Sequence, residues 1–217
     1  MGKIGNDNVK KPMDYTYAVS RIRAVERSLL EFNKIQQIAD AKSADDALRL
    51  IYDAGYPSYN SYEKSFSKAL QDAYELLVSI IPEPQVLSAL LIKNDYHNLK
   101  VVLKMEFLDE DLDYLLLDRC LFGIDKIKNA VTSRRANHLS SVFDKTIKLA
   151  AEEFAYTKSA QAVDMIIDKG MYEDMLSIAG STSNRFLKEL VKIQIDLVNL
   201  LTLLRLRRIN KNSEFAK

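Results

Sequence analysis

The sequence predicts an all-α protein. Gly and Pro are sparse, 6 and 4 in 217 residues, which disfavours the many tight turns of a β fold. Apolar residues recur at three- and four-residue spacing through most of the chain. The runs rich in β-branched residues are short and sit inside those helical patterns, so no strand is predicted.

From Asp14 to about Lys42 the pattern is one long helix, with Val19, Ile22, Val25, Leu29, Phe32 and Ile35 as its apolar stripe. Ser43 has the side chain of an N-cap, and the helix it opens should stop at Gly55. Tyr56 to Asn60, with Pro57, reads as a turn. A third helix runs from about Tyr62 to Ile81 and is broken by Pro82-Glu83-Pro84. A fourth begins there and continues through Asp95 to Leu108, with a candidate bend near Asn94.

The acids Asp109, Glu110 and Asp111 suit the first turn of another helix, where they complement the backbone dipole. Gly123 marks a break, and Ala136 to Ala155 is helical again. The next helix is expected to end at Gly170, and a short one to reach Gly180. The last runs from about Arg185 to Ile209. Phe186, Leu190, Val191, Ile193, Leu197, Val198, Leu200, Leu201 and Leu204 cover most of its circumference. A helix apolar nearly all round is expected to be buried at the centre of its unit, as is the Asn94–Leu108 helix of the first.

The charge balance, 31 basic against 30 acidic residues, supplies no global field for nucleic acid or an anionic membrane. No apolar run approaches the ~20 residues of a membrane span. The N-terminus, with Lys3, Asp7, Lys10 and Lys11, lacks an apolar signal region. The expectation is a cytoplasmic protein, peripheral to a membrane only through partners. The single cysteine, Cys120, is expected to be a small core residue rather than a nucleophile.

Chemistry-bearing motifs are missing. His97 and His138 stand 41 positions apart with no clustered ligands, so no metal is expected. There is no phosphate-binding glycine loop, no dinucleotide fingerprint and no nucleophile elbow. Neither a cofactor nor catalysis is expected. The clustered Arg205, Arg207, Arg208 and Lys211 read first as cations on a helix C-terminus; a contact to phosphates or to an acidic partner is the alternative.

A short phrase occurs twice. Asp95-Tyr96-His97-Asn98-Leu99 leads to Leu103-Lys104, and Asp196-Leu197-Val198-Asn199-Leu200 leads to Leu204-Arg205. Both read Asp-x-x-Asn-Leu-x-x-x-Leu-basic. Upstream, Ala47 to Gly55 aligns with Ala162 to Gly170, offset by 115 residues where the phrase is offset by 101. Two ordered landmarks argue for an internal duplication. Within each phrase the acid and amide share a helix face, while Lys104 and Arg205 point to the opposite side. Asp95, Asn98, Asp196 and Asn199 are therefore candidate helix-to-helix ties, with a contact to another protein as the other reading. Lys104, Arg205, Arg207 and Arg208 are candidate partner-facing bases.

The residues from Met13 through Arg23 to Glu26, the phrase Asp95 to Lys100, and the segment Gln194 to Arg208 together resemble the C subunit of A/V-type ATPases, a family related to the d subunit of the vacuolar ATPase. The resemblance implies pseudo-repeated helical units in a funnel-like connector. It implies a non-catalytic central-stalk protein that joins the rotor shaft to the membrane rotor ring, for proton or sodium transport. Its expected partners are the shaft and ring subunits, with no nucleic acid. Residues 1–12 then read as an extension or cloning remnant, 13–130 as a first unit and 131–217 as a second, with the boundary near Gly123 to Ala136 and without the family's third unit. The alternative is a helical-repeat interaction scaffold unrelated to rotary ATPases.

Overall fold

The structure is a computed structural model that describes residues 15–59, 61–136 and 138–208. Among these residues there are nine α-helices, one short 3-10 turn at Asp113–Leu115 and no strand. The all-α expectation holds. The helices are α1 Thr16–Glu26, α2 Phe32–Ala39, α3 Ala44–Asp53, α4 Tyr62–Ile80, α5 Pro84–Leu108, α6 Ile124–Ser133, α7 Ser141–Thr157, α8 Ala160–Gly180 and α9 Arg185–Arg208.

The chain divides into two compact units, Met1–Leu87 and Ser88–Lys217. This division falls inside α5 rather than at Gly123 to Ala136. Compactness and duplication partition the chain differently; the repeat boundary of 13–130 and 131–217 remains a proposal about ancestry.

In the first unit, serine caps begin two helices. Ser43 Oγ accepts from the Asp46 amide at 3.1 Å and Ser61 Oγ accepts from the Lys64 amide at 3.3 Å. Gly55 follows α3 at φ +96°, the left-handed stop its sequence position predicts. The expected helix from Asp14 to Lys42 is two helices. Ser28 explains the break: its amide and hydroxyl both donate to the Val25 carbonyl, at 2.9 and 2.7 Å, and Leu29 bonds back only three residues, to Glu26. Glu31 then turns extended and starts α2. The stripe residues Val19, Ile22, Val25, Leu29, Phe32 and Ile35 are all exposed. This unit has a thin apolar core, with Ala18, Ile80 and Leu87 buried.

The second unit holds the main core. Ile92, Tyr96, Leu99 and Leu103 of α5 are buried together with Ile127 and Val131 of α6, Phe143 and Ile147 of α7, and Val163, Ile167 and Met175 of α8. The α5 helix is continuous through Asn94. It runs antiparallel to α8, as three cross-pairs show: Tyr96 with Asp174, Lys100 with Asp168 and Lys104 with Asp164.

Three expectations fail here. Asp109, Glu110 and Asp111 do not open an α-helix: Asp109 sits at φ +53° just past α5, and residues 109–123 form a strap that includes only the 3-10 turn. Gly170 does not end a helix, because α8 runs on to Gly180. It serves instead as a contact point, where an added Cβ would collide with Thr146 Oγ1 of α7. Finally, α9 is not central. Leu187 and Val191 are buried, but Ile193, Leu197, Leu200, Leu201 and Leu204 are exposed. The helix packs on α8, and nothing among the described residues covers its far half.

Candidate functional site

Helix α5 carries different polar groups on two faces. On one face Asp95 and Asn98, three residues apart, receive the strap. The Asp95 carboxylate accepts the amides of Leu121 and Phe122, each at 2.7 Å. The Asn98 amide group donates to the Leu117 carbonyl at 2.9 Å and accepts the Leu117 amide at 2.8 Å, so one side chain matches both groups of one peptide residue. Asn94 donates to the Arg119 carbonyl at 2.6 Å. Outside this set, His97 meets the Leu115 carbonyl at 3.0 Å. A strap without regular structure must satisfy its backbone groups somewhere, and α5 supplies the partners.

Asp95 and Asn98 are fully buried. Burial pushes the Asp95 carboxyl up to about 6, against the opposing pull of the Phe122 and Leu121 amides. The same burial, followed by the charge of Asp95, raises the Cys120 thiol. Cys120 lies half-buried in the strap rather than in the core.

On another face of α5, Tyr96 Oη donates to Asp174 Oδ2 at 2.8 Å, and Ser140 Oγ reaches both oxygens of the same carboxylate at 2.7 and 2.8 Å. Burial raises Asp174, and burial followed by the Asp174 charge raises Tyr96. The Tyr96 and Phe122 rings both meet Phe143 edge-on, at 5.0 and 5.3 Å between centroids. A cleft of about 310 Å³ opens beside Asp174, lined also by Ile92, Phe122 and Ser177. Both oxygens of Asp174 are engaged by Tyr96 and Ser140, so the carboxylate is committed to joining α5, α7 and α8. Asp144 is the opposite case: Lys148 first, then the Ala136 amide, lowers its pKa. The sequence reading missed Tyr96, Ser140, Asp144 and Asp174. Between Met171 and Ala179 the sequence offers two adjacent acids, Glu173 and Asp174, and nothing in it singles out Asp174.

The eight predicted residues separate. Asp95 and Asn98 hold a loop, not another helix. Asp196 and Asn199 are exposed, without a partner among the described residues, so the burial expected of them does not hold. In the first copy the strap follows Asp95 by 14 to 28 residues; the matching stretch after Asp196 begins at 210, outside the described residues. Lys104 pairs with Asp164 at 3.1 Å and is engaged within the unit. Arg205, Arg207 and Arg208 are exposed at the end of α9. Among the described residues no cluster of His, Cys, Asp or Glu is arranged to hold a metal, and no helix is long and apolar enough to cross a membrane.

The described helices form an all-α scaffold in which the buried Asp95, Asn98 and Asp174 bind the chain's own backbone and side chains. The chain belongs to the ATP synthase (C/AC39) subunit family, which matches residues 18–217. Its relatives include the C subunit of the V-type sodium ATPase of Enterococcus hirae, 22% identical over 196 residues, covering 88% of this chain and 60% of the relative. The C subunit of the A-type ATP synthase of Thermococcus onnurineus is 24% identical over 230 residues, covering 96% and 61%. That of Pyrococcus horikoshii is 25% identical over 224 residues, covering 94% and 59%. The chain thus spans about 60% of the length of these relatives. No solved structure matches.

Proposed function

We propose that this chain acts as a non-catalytic central-stalk component of a rotary A/V-type ATPase, joining the rotor shaft to the membrane rotor ring. The observation that carries the reading is the family match from residue 18 to residue 217 on an all-helical chain. The architecture supports it physically. Torque transfer needs a stiff body, and the second unit is tied at three levels: apolar packing, the Tyr96–Asp174–Ser140 bonds, and the strap fastened to α5. The chain sits on the water-exposed side of the membrane and meets the complex through protein contacts. The repeated Asp and Asn serve as structural ties where a strap covers them. Co-expression with the shaft and rotor-ring proteins of the same organism tests this reading. Stoichiometric co-purification with both is expected; a chain that elutes alone under conditions where shaft and ring associate contradicts it.

A further inference from the structure

The phrase shared by α5 and α9 meets a strap on α5 alone. There Asp95 accepts two successive amides, those of Leu121 and Phe122, and Asn98 matches both groups of Leu117. The strap runs antiparallel to its helix, since the earlier Leu117 meets Asn98 and the later Leu121 and Phe122 meet Asp95. On α9 the same two side chains, Asp196 and Asn199, are exposed. At 100° per residue they lie about 130° around the helix from Leu187 and Val191, the pair that α9 buries. Leu203 and Arg207 continue their face toward the helix C-terminus, and both are exposed. Arg207 stands where α5 has Glu106, so the two faces differ in charge at this position.

We propose that Asp196 and Asn199 hold the main chain of an extended acidic segment of a partner protein, laid antiparallel along α9 as the strap is laid along α5. This goes beyond the stalk reading and does not depend on it. Three features define the segment. Side chains that read successive amides need an extended chain with free N–H groups, which neither a helix interior nor a proline offers. The exposed Leu200 and Leu203 flank Asn199 and favour apolar side chains beside those amides, as Leu121 and Phe122 are on the strap. Arg207 adds the charge. It lies about 12 Å along the helix from Asn199, the span of about four extended residues. An acid four positions before the residue on Asn199 therefore reaches it, the spacing of Asp113 to Leu117 in the strap. The residues after α9, Ile209 to Lys217, carry Lys211 and Lys217 against the single acid Glu214, so they are a poor match to Arg207 and a partner supplies the segment. Ile195 and Val198 replace Asn94 and His97, so two of the side-chain bonds to the strap have no counterpart on α9. The partner segment is held correspondingly less tightly than the strap.

The probe is a synthetic peptide of residues 109–123 with Cys120→Ser, which carries Asp113, Leu117, Leu121 and Phe122 at the required spacing. Titrated into the full chain in a calorimeter, it should bind with a dissociation constant on the order of 10–100 μM. Asp196→Ala with Asn199→Ala should weaken binding more than about tenfold, and Arg207→Glu about threefold or more. All three positions are exposed, so the circular dichroism melts should match wild type. Tyr156→Glu, an exposed position on α7, should bind the peptide like wild type. N-methylating the Leu121 and Phe122 amides of the peptide keeps their apolar side chains and removes the donors; it should weaken binding as much as the Asp196 and Asn199 substitutions do. A peptide that does not bind at about 1 mM, that binds the Asp196 and Asn199 variant as well as wild type, or that tolerates the methylation overturns the proposal.

Discussion

Asp95 shows what a buried acid does in this protein. Its two oxygens hold two strap amides, yet burial raises its pKa from 3.8 to about 6. The sign of the pH effect follows. The folded chain binds the Asp95 proton more tightly than the unfolded chain, so between about pH 6 and pH 4 stability rises as pH falls. Above pH 6 the cost of the buried charge is fully present. Relative to Asp95→Asn, wild type should gain about 1 kcal/mol between pH 7 and pH 5, read from urea melts at each pH. Equal slopes for the two proteins would contradict this. Removing the side chain with Asp95→Ala should cost about 1–3 kcal/mol at neutral pH, because the Leu121 and Phe122 amides lose their acceptors. The sequence made Asp95 and Asn98 legible because an acid and an amide on one face of an apolar helix need partners. It did not say that the partner is a loop, since a hydrogen-bond acceptor carries no information about which segment will donate. Asp196 has the same local sequence and a different environment, which shows the limit of reading burial from a phrase.

At the scale of elements, the α7–α8 contact turns on Gly170. Its absent side chain lets Thr146 approach, with the hydroxyl donating to the Val142 carbonyl at 2.8 Å. Gly170→Ala gains up to about 1 kcal/mol in helix propensity but forces the helices apart, for a net loss of about 1–2 kcal/mol. Thermal melts of Gly170→Ala, and of Gly170→Ala combined with Thr146→Ala, check this: the second change should recover most of the loss. If the single variant is as stable as wild type, the close approach is not what the glycine serves. From sequence, a glycine after an amphipathic stretch reads as a stop, and only the neighbouring helix reveals the other use. Cap residues were more legible. Ser43 does the job its position announces, because a cap is a local event within four residues. The break at Ser28 was not legible, because the apolar stripe continues across it.

At the scale of the whole molecule, the two compact units differ in how much apolar surface they bury. The second has a continuous core from α5 to α8, whereas the first buries few large side chains and exposes its longest stripe. Amide hydrogen exchange should therefore show α1 to α3 exchanging well before α5, α7 and α8, with protection highest around Leu99 and Ile147. The fold class was legible from composition and spacing, because helix periodicity is a property of the chain itself. Which apolar faces are covered was not, since α9 read as a central helix and α1 carried an apolar stripe, yet both expose those residues.

On the proposed function, the chain passes torque without taking part in ATP chemistry. The most direct test is the coupling between ATP hydrolysis and ion uptake in membranes of the native complex, stripped of this chain and then reconstituted with it. The account predicts that stripping abolishes ion uptake while the catalytic head still hydrolyses ATP, and that adding the chain back restores uptake. Ion uptake that is equally fast with and without the chain would contradict it.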